Sequence, residues 1–211
     1  MTIDHKFIDQ FVNVTSKAAV ASYNLIGKKD KIAADKATVD SMRNNLNQLN
    51  IKGKIVIGEG ELDEAPMLYI GEEVGTRNGP EIDIAVDPLE GTNFAANNLP
   101  GALSVIAIAE KNNLFNAPET YMEKISAKVN EKGVVDLDYS TKENIFNLCE
   151  YLNKKPESIT ACIMDRPRHK DIIDELNILG VKIKLITDGD VSGALLVTDD
   201  KYGVDIFLGI G

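Results

Sequence analysis

Residues 83–93 read "DIAVDPLEGTN", an apolar run that meets a carboxylate, a proline, a second carboxylate and then Gly91-Thr92. A strand that only reverses in water needs no more than Asn-Gly or Asp-Gly to turn. Asp87 and Glu90, bracketing Pro88 and Leu89 at the end of a buried strand, call for a cationic partner.

Working outward, "KIVIGEG" at 54–60 has the β-branched pattern of a buried strand and ends at another acid, Glu59, while "ALSVIAIAE" at 102–110 predicts a further strand. Both "IDIAVD" and "ALSVIAIAE" read as central strands. Toward the N-terminus, Phe7, Phe11, Val14, Ala18 and Leu25 follow helical spacing, with Gly27 as a stop, and Val39, Met42, Leu46 and Leu49 repeat the pattern. Residues 110–139 mix turn formers with apolar positions, and "KVNEKGVVDLDYS" reads as an exposed hairpin around Lys132-Gly133.

From Ser140 the pattern sharpens. "STKENIFNLCEYL" carries a Ser-x-x-Glu capping box followed by Ile145, Leu148 and Leu152 on one helical face. "SITACIM" is a strand, Ile172, Ile173, Leu176 and Leu179 mark a helix stopped by Gly180, "VKIKLI" is a strand, "VSGALLV" a short helix and "VDIFLG" a last strand. Alternating strands and helices predict an α/β fold with a mostly parallel sheet. The change of pattern near residue 140 predicts two subdomains, 1–139 and 140–211.

Composition narrows the function. With 211 residues and 44% hydrophobic positions the chain can bury a substantial core. Its 23 basic and 33 acidic side chains leave a net charge of -10, which repels phosphate backbones and anionic lipid, so neither nucleic acid nor a membrane is an expected partner. The N-terminal residues lack a signal-peptide pattern, which predicts a cytoplasmic protein. Cys149 and Cys162 have no metal-ligand spacing and read as buried thiols.

The acids worth counting are Asp35, Glu59, Glu61, Asp87 and Glu90, each at or near the end of a predicted element. Hard oxygen ligands without histidine or cysteine suit Mg²⁺ or Mn²⁺ rather than zinc. If a helix begins after Glu90, the Thr92 hydroxyl and the first N–H groups can hold a phosphate beside the metal. Taken singly, each acid is as well explained as a solvated turn residue and Thr92 as a helix cap; the joint pattern favours a site.

"DRPRHK" at 165–170 gathers Arg166, Pro167, Arg168 and His169 beyond a strand, offering planar donors to an anionic phosphate or sugar, or equally to surface acids. His169 is the weaker candidate for a catalytic base. "ITDGDV" puts Asp188, Gly189 and Asp190 after another strand, where carboxylates can accept from sugar hydroxyls, although Asp-Gly is also a common turn. Tyr121 can touch phosphate through its hydroxyl or serve only in packing.

Together "ADKATVDSMR", "IVIGEGELDEAPMLYIGEEVG", "DIAVDPLEGTN", "NAPETYMEKI", "RPRH" and "TDGDV", in order along the whole chain, resemble the class II fructose-1,6-bisphosphatases of bacteria, within the lithium-sensitive sugar phosphatase superfamily. The resemblance implies an α/β/α/β/α layered fold and the gluconeogenic hydrolysis of the 1-phosphate of fructose 1,6-bisphosphate to fructose 6-phosphate, with Mn²⁺ or Mg²⁺ required and a homo-oligomer suggested. It assigns Asp35, Glu59, Asp87 and Glu90 to metal, Asp87, Glu90 and Thr92 to catalysis, and Glu90, Gly91, Thr92, Tyr121, Arg166, Pro167, Arg168, Asp188, Gly189 and Asp190 to the substrate. Family members continue past "GIG" into a loop with one more metal-binding glutamate, so the resemblance predicts a C-terminally incomplete fold. A related phosphatase for sedoheptulose or inositol phosphates, and an inactive metal-binding fragment, stand as alternatives.

Overall fold

The computed structural model describes residues 6–58, 68–116 and 120–211, and the chain forms two compact units, Met1–Pro118 and Glu119–Gly211. The class is mixed α/β, as expected. Each unit carries a four-stranded mixed sheet: the second is mostly parallel, as the alternating pattern predicts, and the first is mostly antiparallel.

In the first unit, helices α1 (Lys6–Ser22) and α2 (Lys31–Leu46) pack against a sheet built from β1 (Lys52–Ile57), β2 (Glu73–Val74), β3 (Glu81–Glu90) and β4 (Leu103–Glu110), ordered β2-β1-β3-β4. Phe7, Phe11, Val14 and Ala18 form the buried stripe of α1, and Val39, Met42 and Leu46 that of α2. The first helix ends sooner than its periodicity predicts, because its last turn tightens into a 3₁₀ turn at Tyr23–Leu25. Asp30 caps α2, its carboxylate accepting from Ala33 N–H at 2.9 Å. Arg43 near the end of that helix forms a two-pronged ion pair with Glu72, at 2.7 and 3.0 Å, fastening it to the chain that enters β2. Glu72 is nearly buried, and its carboxylate raises the Arg43 pKa by accepting these bonds.

Strand β3 is the centre of this sheet, parallel to β1 and antiparallel to β4. Ile82, Ile84 and Val86 enter the core shared with α1 and α2, so Asp83, Ala85 and Asp87 lie on the opposite face. Asp83 is buried there, its Oδ2 accepting from the backbone N–H groups of Asn113 at 3.1 Å and Leu114 at 3.4 Å. Strand β4, expected to be central, is an edge among the described residues.

In the second unit, β5 (Glu123–Ala127), β6 (Thr160–Met164), β7 (Lys182–Ile186) and β8 (Ile206–Ile210) are ordered β5-β8-β6-β7. Strand β6 runs parallel to both neighbours, and β5 is antiparallel to β8. Helices α4 (Thr141–Leu152) and α5 (Lys170–Ile178) cover one face through Ile145, Leu148, Cys149 and Leu176 on Ala161, Ile206 and Leu208. Between β3 and β4 of the first unit stands α3 (Thr92–Ala96), and in the second unit α6 (Asp190–Leu195) covers the other face of the sheet, near Cys162 and Phe207. Gly193 permits that approach: a Cβ there would fall 2.7 Å from the Phe207 ring. The predicted capping box is present, Ser140 Oγ accepting from Glu143 N–H at 3.2 Å and Glu143 Oε2 accepting from Ser140 N–H at 2.8 Å.

Two expectations are corrected here. The division falls after Pro118 rather than after residue 139, because β5 completes the second sheet by pairing with β8. No hairpin forms around Lys132-Gly133; those residues are turns, and Val129, Val134 and Val135 lean on the second core. The buried Asn144 replaces a ladder, accepting from Asp136 N–H at 2.8 Å and donating to the carbonyls of Asp136 and Tyr139 at 2.9 and 3.2 Å.

Candidate functional site

The first cluster grows from an irregularity in β3. Asp87 pairs with Val105 and Glu90 with Leu103, so three steps along β3 are matched by two along β4. One residue is therefore in excess, the definition of a β-bulge, and Pro88, which cannot donate to a ladder, lies within it. Val105 and Leu103 are two apart and share a face, and each cross-strand partner lies on the same face as its mate. Asp87 and Glu90 thus stand on one face, away from the Ile84 and Val86 core. The strand continues through both acids instead of stopping at the first.

Gly91 follows in the left-handed region, φ 79°, and opens α3 without a side-chain cap. Its missing Cβ matters twice: the conformation disfavours other residues, and a Cβ would lie 2.8 Å from the Phe94 ring. Thr92 is the first helical residue. The far end of the helix is anchored, the Ala95 and Ala96 carbonyls accepting from Gly27 and Lys29 N–H groups at 2.9 Å each.

Asp35 comes from α2. Its neighbour Ala34 packs with Leu89 and Ala95, which brings this turn of the helix to the bulge. One oxygen of each of Asp35, Asp87 and Glu90 is shielded from solvent. Asp35 Oδ1 accepts no hydrogen bond among the described residues, and burial raises the pKa of its carboxyl. An all-oxygen donor set with a buried carboxylate oxygen left over fits a hard divalent cation. Glu59 and Glu61 lie outside the described residues, and among those described no group of three or more candidate ligands forms a closed metal site.

The second cluster lies at the carboxyl ends of the parallel strands of the other sheet, the usual place for a ligand in an α/β sheet. After β6, Arg166 leads into a 3₁₀ turn at Pro167–His169. The Arg168 guanidinium lies over the Tyr121 ring, 4.5 Å from its centroid, and Nε donates to the Ile210 carbonyl at 2.6 Å. Arg166 Nη2 is 3.8 Å from Asp188 Oδ1, an ion pair too long for a hydrogen bond. Asp190, the first residue of α6, meets Lys124 Nζ at 3.2 Å, and Gly189 before it is left-handed at φ 78°. This rim therefore carries two ion pairs, Arg166 with Asp188 and Lys124 with Asp190, beside an Arg168 held by Tyr121 and Ile210. Lys124 has no signal in the sequence: its strand, β5, is short and of mixed polarity, so only its pairing with β8 brings it to Asp190.

His169 is not placed for acid–base work, since it is fully buried and both ring nitrogens meet backbone groups. Both cysteines are buried, and burial pushes the Cys162 thiol up to about 11. Among the described residues no helix is long and apolar enough to cross a membrane.

Residues 5–211 match a family described as bacterial fructose-1,6-bisphosphatase, glpX-encoded. Curated relatives named D-fructose 1,6-bisphosphatase class 2/sedoheptulose 1,7-bisphosphatase are similar along nearly the whole chain. The protein from Synechococcus sp. (strain CC9902) is 48% identical over 99% of this chain and 63% of its own length. That from Thermosynechococcus vestitus (strain NIES-2133 / IAM M-273 / BP-1) is 46% identical over 96% of this chain and 62% of its own length. The chain spans slightly under two thirds of the length of these relatives, and it belongs to the glpX-encoded family of bacterial fructose-1,6-bisphosphatases.

Proposed function

We propose that this chain takes part in hydrolysis of the 1-phosphate of fructose 1,6-bisphosphate, giving fructose 6-phosphate and inorganic phosphate. The observation that supports this most is the bulge, which sets Asp87 and Glu90 on one sheet face immediately before Gly91-Thr92. Asp35, Glu59, Asp87 and Glu90 would hold Mn²⁺ or Mg²⁺. When bound, such a cation supplies charge neutralisation at the phosphoryl oxygens and a more acidic water.

The chain's own groups divide the remaining work. The Thr92 hydroxyl and the first N–H groups after Gly91 orient the phosphoryl group. Arg166 and Arg168 suit the non-reacting phosphate, the guanidinium of Arg168 being already fixed by Tyr121 and Ile210. Asp188 and Asp190 accept from sugar hydroxyls, and Lys124 keeps Asp190 oriented. Holding the non-reacting end in this way converts binding into alignment at the phosphorus.

The relatives' names also carry sedoheptulose 1,7-bisphosphate, which makes it the second substrate reading. The deciding experiment is Mn²⁺-dependent phosphate release from both bisphosphates by the purified chain and by Asp87→Ala. Release that requires Asp87 is the expected result. A folded chain with no release, or release untouched by the substitution, rejects the proposal.

A further inference from the structure

His169 has both nitrogens engaged at a point where the second sheet comes apart. Strands β6 and β8 pair only at Ala161 with Ile206 and Cys162 with Phe207, yet β6 continues to Met164 and β8 to Ile210. Across the opening, Nδ1 lies 2.7 Å from the Met164 carbonyl and Nε2 lies 2.9 Å from the Ile210 nitrogen. A carbonyl only accepts and a backbone N–H only donates, so the ring is neutral, with its proton on Nδ1 and a lone pair on Nε2. The 3.1 Å approach of Nε2 to the Ile210 carbonyl is then a contact between two acceptors. That carbonyl is instead served by Arg168 Nε.

Consecutive side chains thus hold the two main-chain groups of one residue: His169 takes the N–H of Ile210 and Arg168 takes its carbonyl. We infer that His169 is a positioning residue for Arg168. It substitutes for the missing β6–β8 ladder and sets the distance between the arginine-bearing turn and the strand end that orients the guanidinium. Without it, Ile210 can shift and Arg168 keeps only the Tyr121 ring as a guide. The inference rests on the reading of Arg168 as a ligand of the non-reacting phosphate.

The test uses ring ¹⁵N NMR of His169 and solvent exchange of the Arg168 Nε–H, in the full chain and in His169→Gln and His169→Asn. Gln retains an acceptor at the reach of Nε2; Asn retains only the donor toward Met164. The expected result is a proton on Nδ1 alone, with Arg168 Nε–H protected in the parent and in His169→Gln and exposed in His169→Asn. The KM for fructose 1,6-bisphosphate should rise about tenfold in His169→Asn, the scale of one lost hydrogen bond, with kcat retained. A proton found on Nε2, or equal Arg168 protection in the two variants, overturns the inference. Neither NMR signal depends on turnover, so an inactive parent chain rejects the function proposed above while the spectra still decide the role of His169.

Discussion

Asp87 and Glu90 face the same side of the sheet although they are three residues apart, because their partners Val105 and Leu103 are only two apart. In an unbroken pleat, residues three apart face opposite ways, and Glu90 would be driven into the core beside Ile84 and Val86. The extra residue converts a motif that would bury one acid in hydrocarbon into one that presents two acids together.

Inserting one alanine after Ser104 gives β4 the third step, which should restore the regular pleat and turn Glu90 inward. Mn²⁺ binding, followed by electron paramagnetic resonance of the free ion, is expected to weaken by more than about tenfold. Glu90→Gln should weaken it comparably while leaving the urea midpoint higher than in the insertion. Unchanged Mn²⁺ binding in the insertion would show that the bulge does not aim the carboxylate.

At Gly91, both the positive φ and the Phe94 ring oppose a side chain. Gly91→Ala should lose about 1–3 kcal/mol of stability in urea denaturation. A cost below the error of the measurement would mean the turn relaxes readily.

The capping box makes the start of α4 pH-sensitive. Hydrogen bonds from the Ser140 hydroxyl and then its backbone N–H hold the Glu143 pKa below its ordinary 4.5. A depressed folded-state pKa stabilises the fold above the ordinary value, and that contribution disappears as pH falls through the folded-state value. Ser140→Ala should cost about 1 kcal/mol at neutral pH, and the gap between variant and parent should narrow under acid. Melting curves at neutral and acid pH check it; a gap independent of pH would contradict the assignment.

Because the thiolate is the reactive species, a Cys162 thiol at about 11 inside the core should be inert in the folded chain. Cys149 is also buried, its pKa raised chiefly by desolvation. Ellman's reagent should label neither until denaturant is added, and rapid labelling of the native chain would show that the second core opens readily.

Much of this protein is decided by short-range pattern. The stripes of α1 and α2, the Ser140 box and the apolar run entering Asp87 are legible because helical and strand periods, and the caps that end them, involve residues within a turn or two of one another. The chemistry of Asp35, Asp87, Glu90 and Thr92 is equally legible as residue types. Pairing is not. That β5 joins β8 rather than the preceding sheet, that Arg43 reaches Glu72, that Tyr121 supports Arg168 and that His169 bridges two diverging strands all depend on contacts between distant segments. Register belongs to two strands at once, so the bulge that aligns Asp87 with Glu90 exists only once β4 is in place: the sequence alone determined which groups are present, and the tertiary structure decided which of them face the same way.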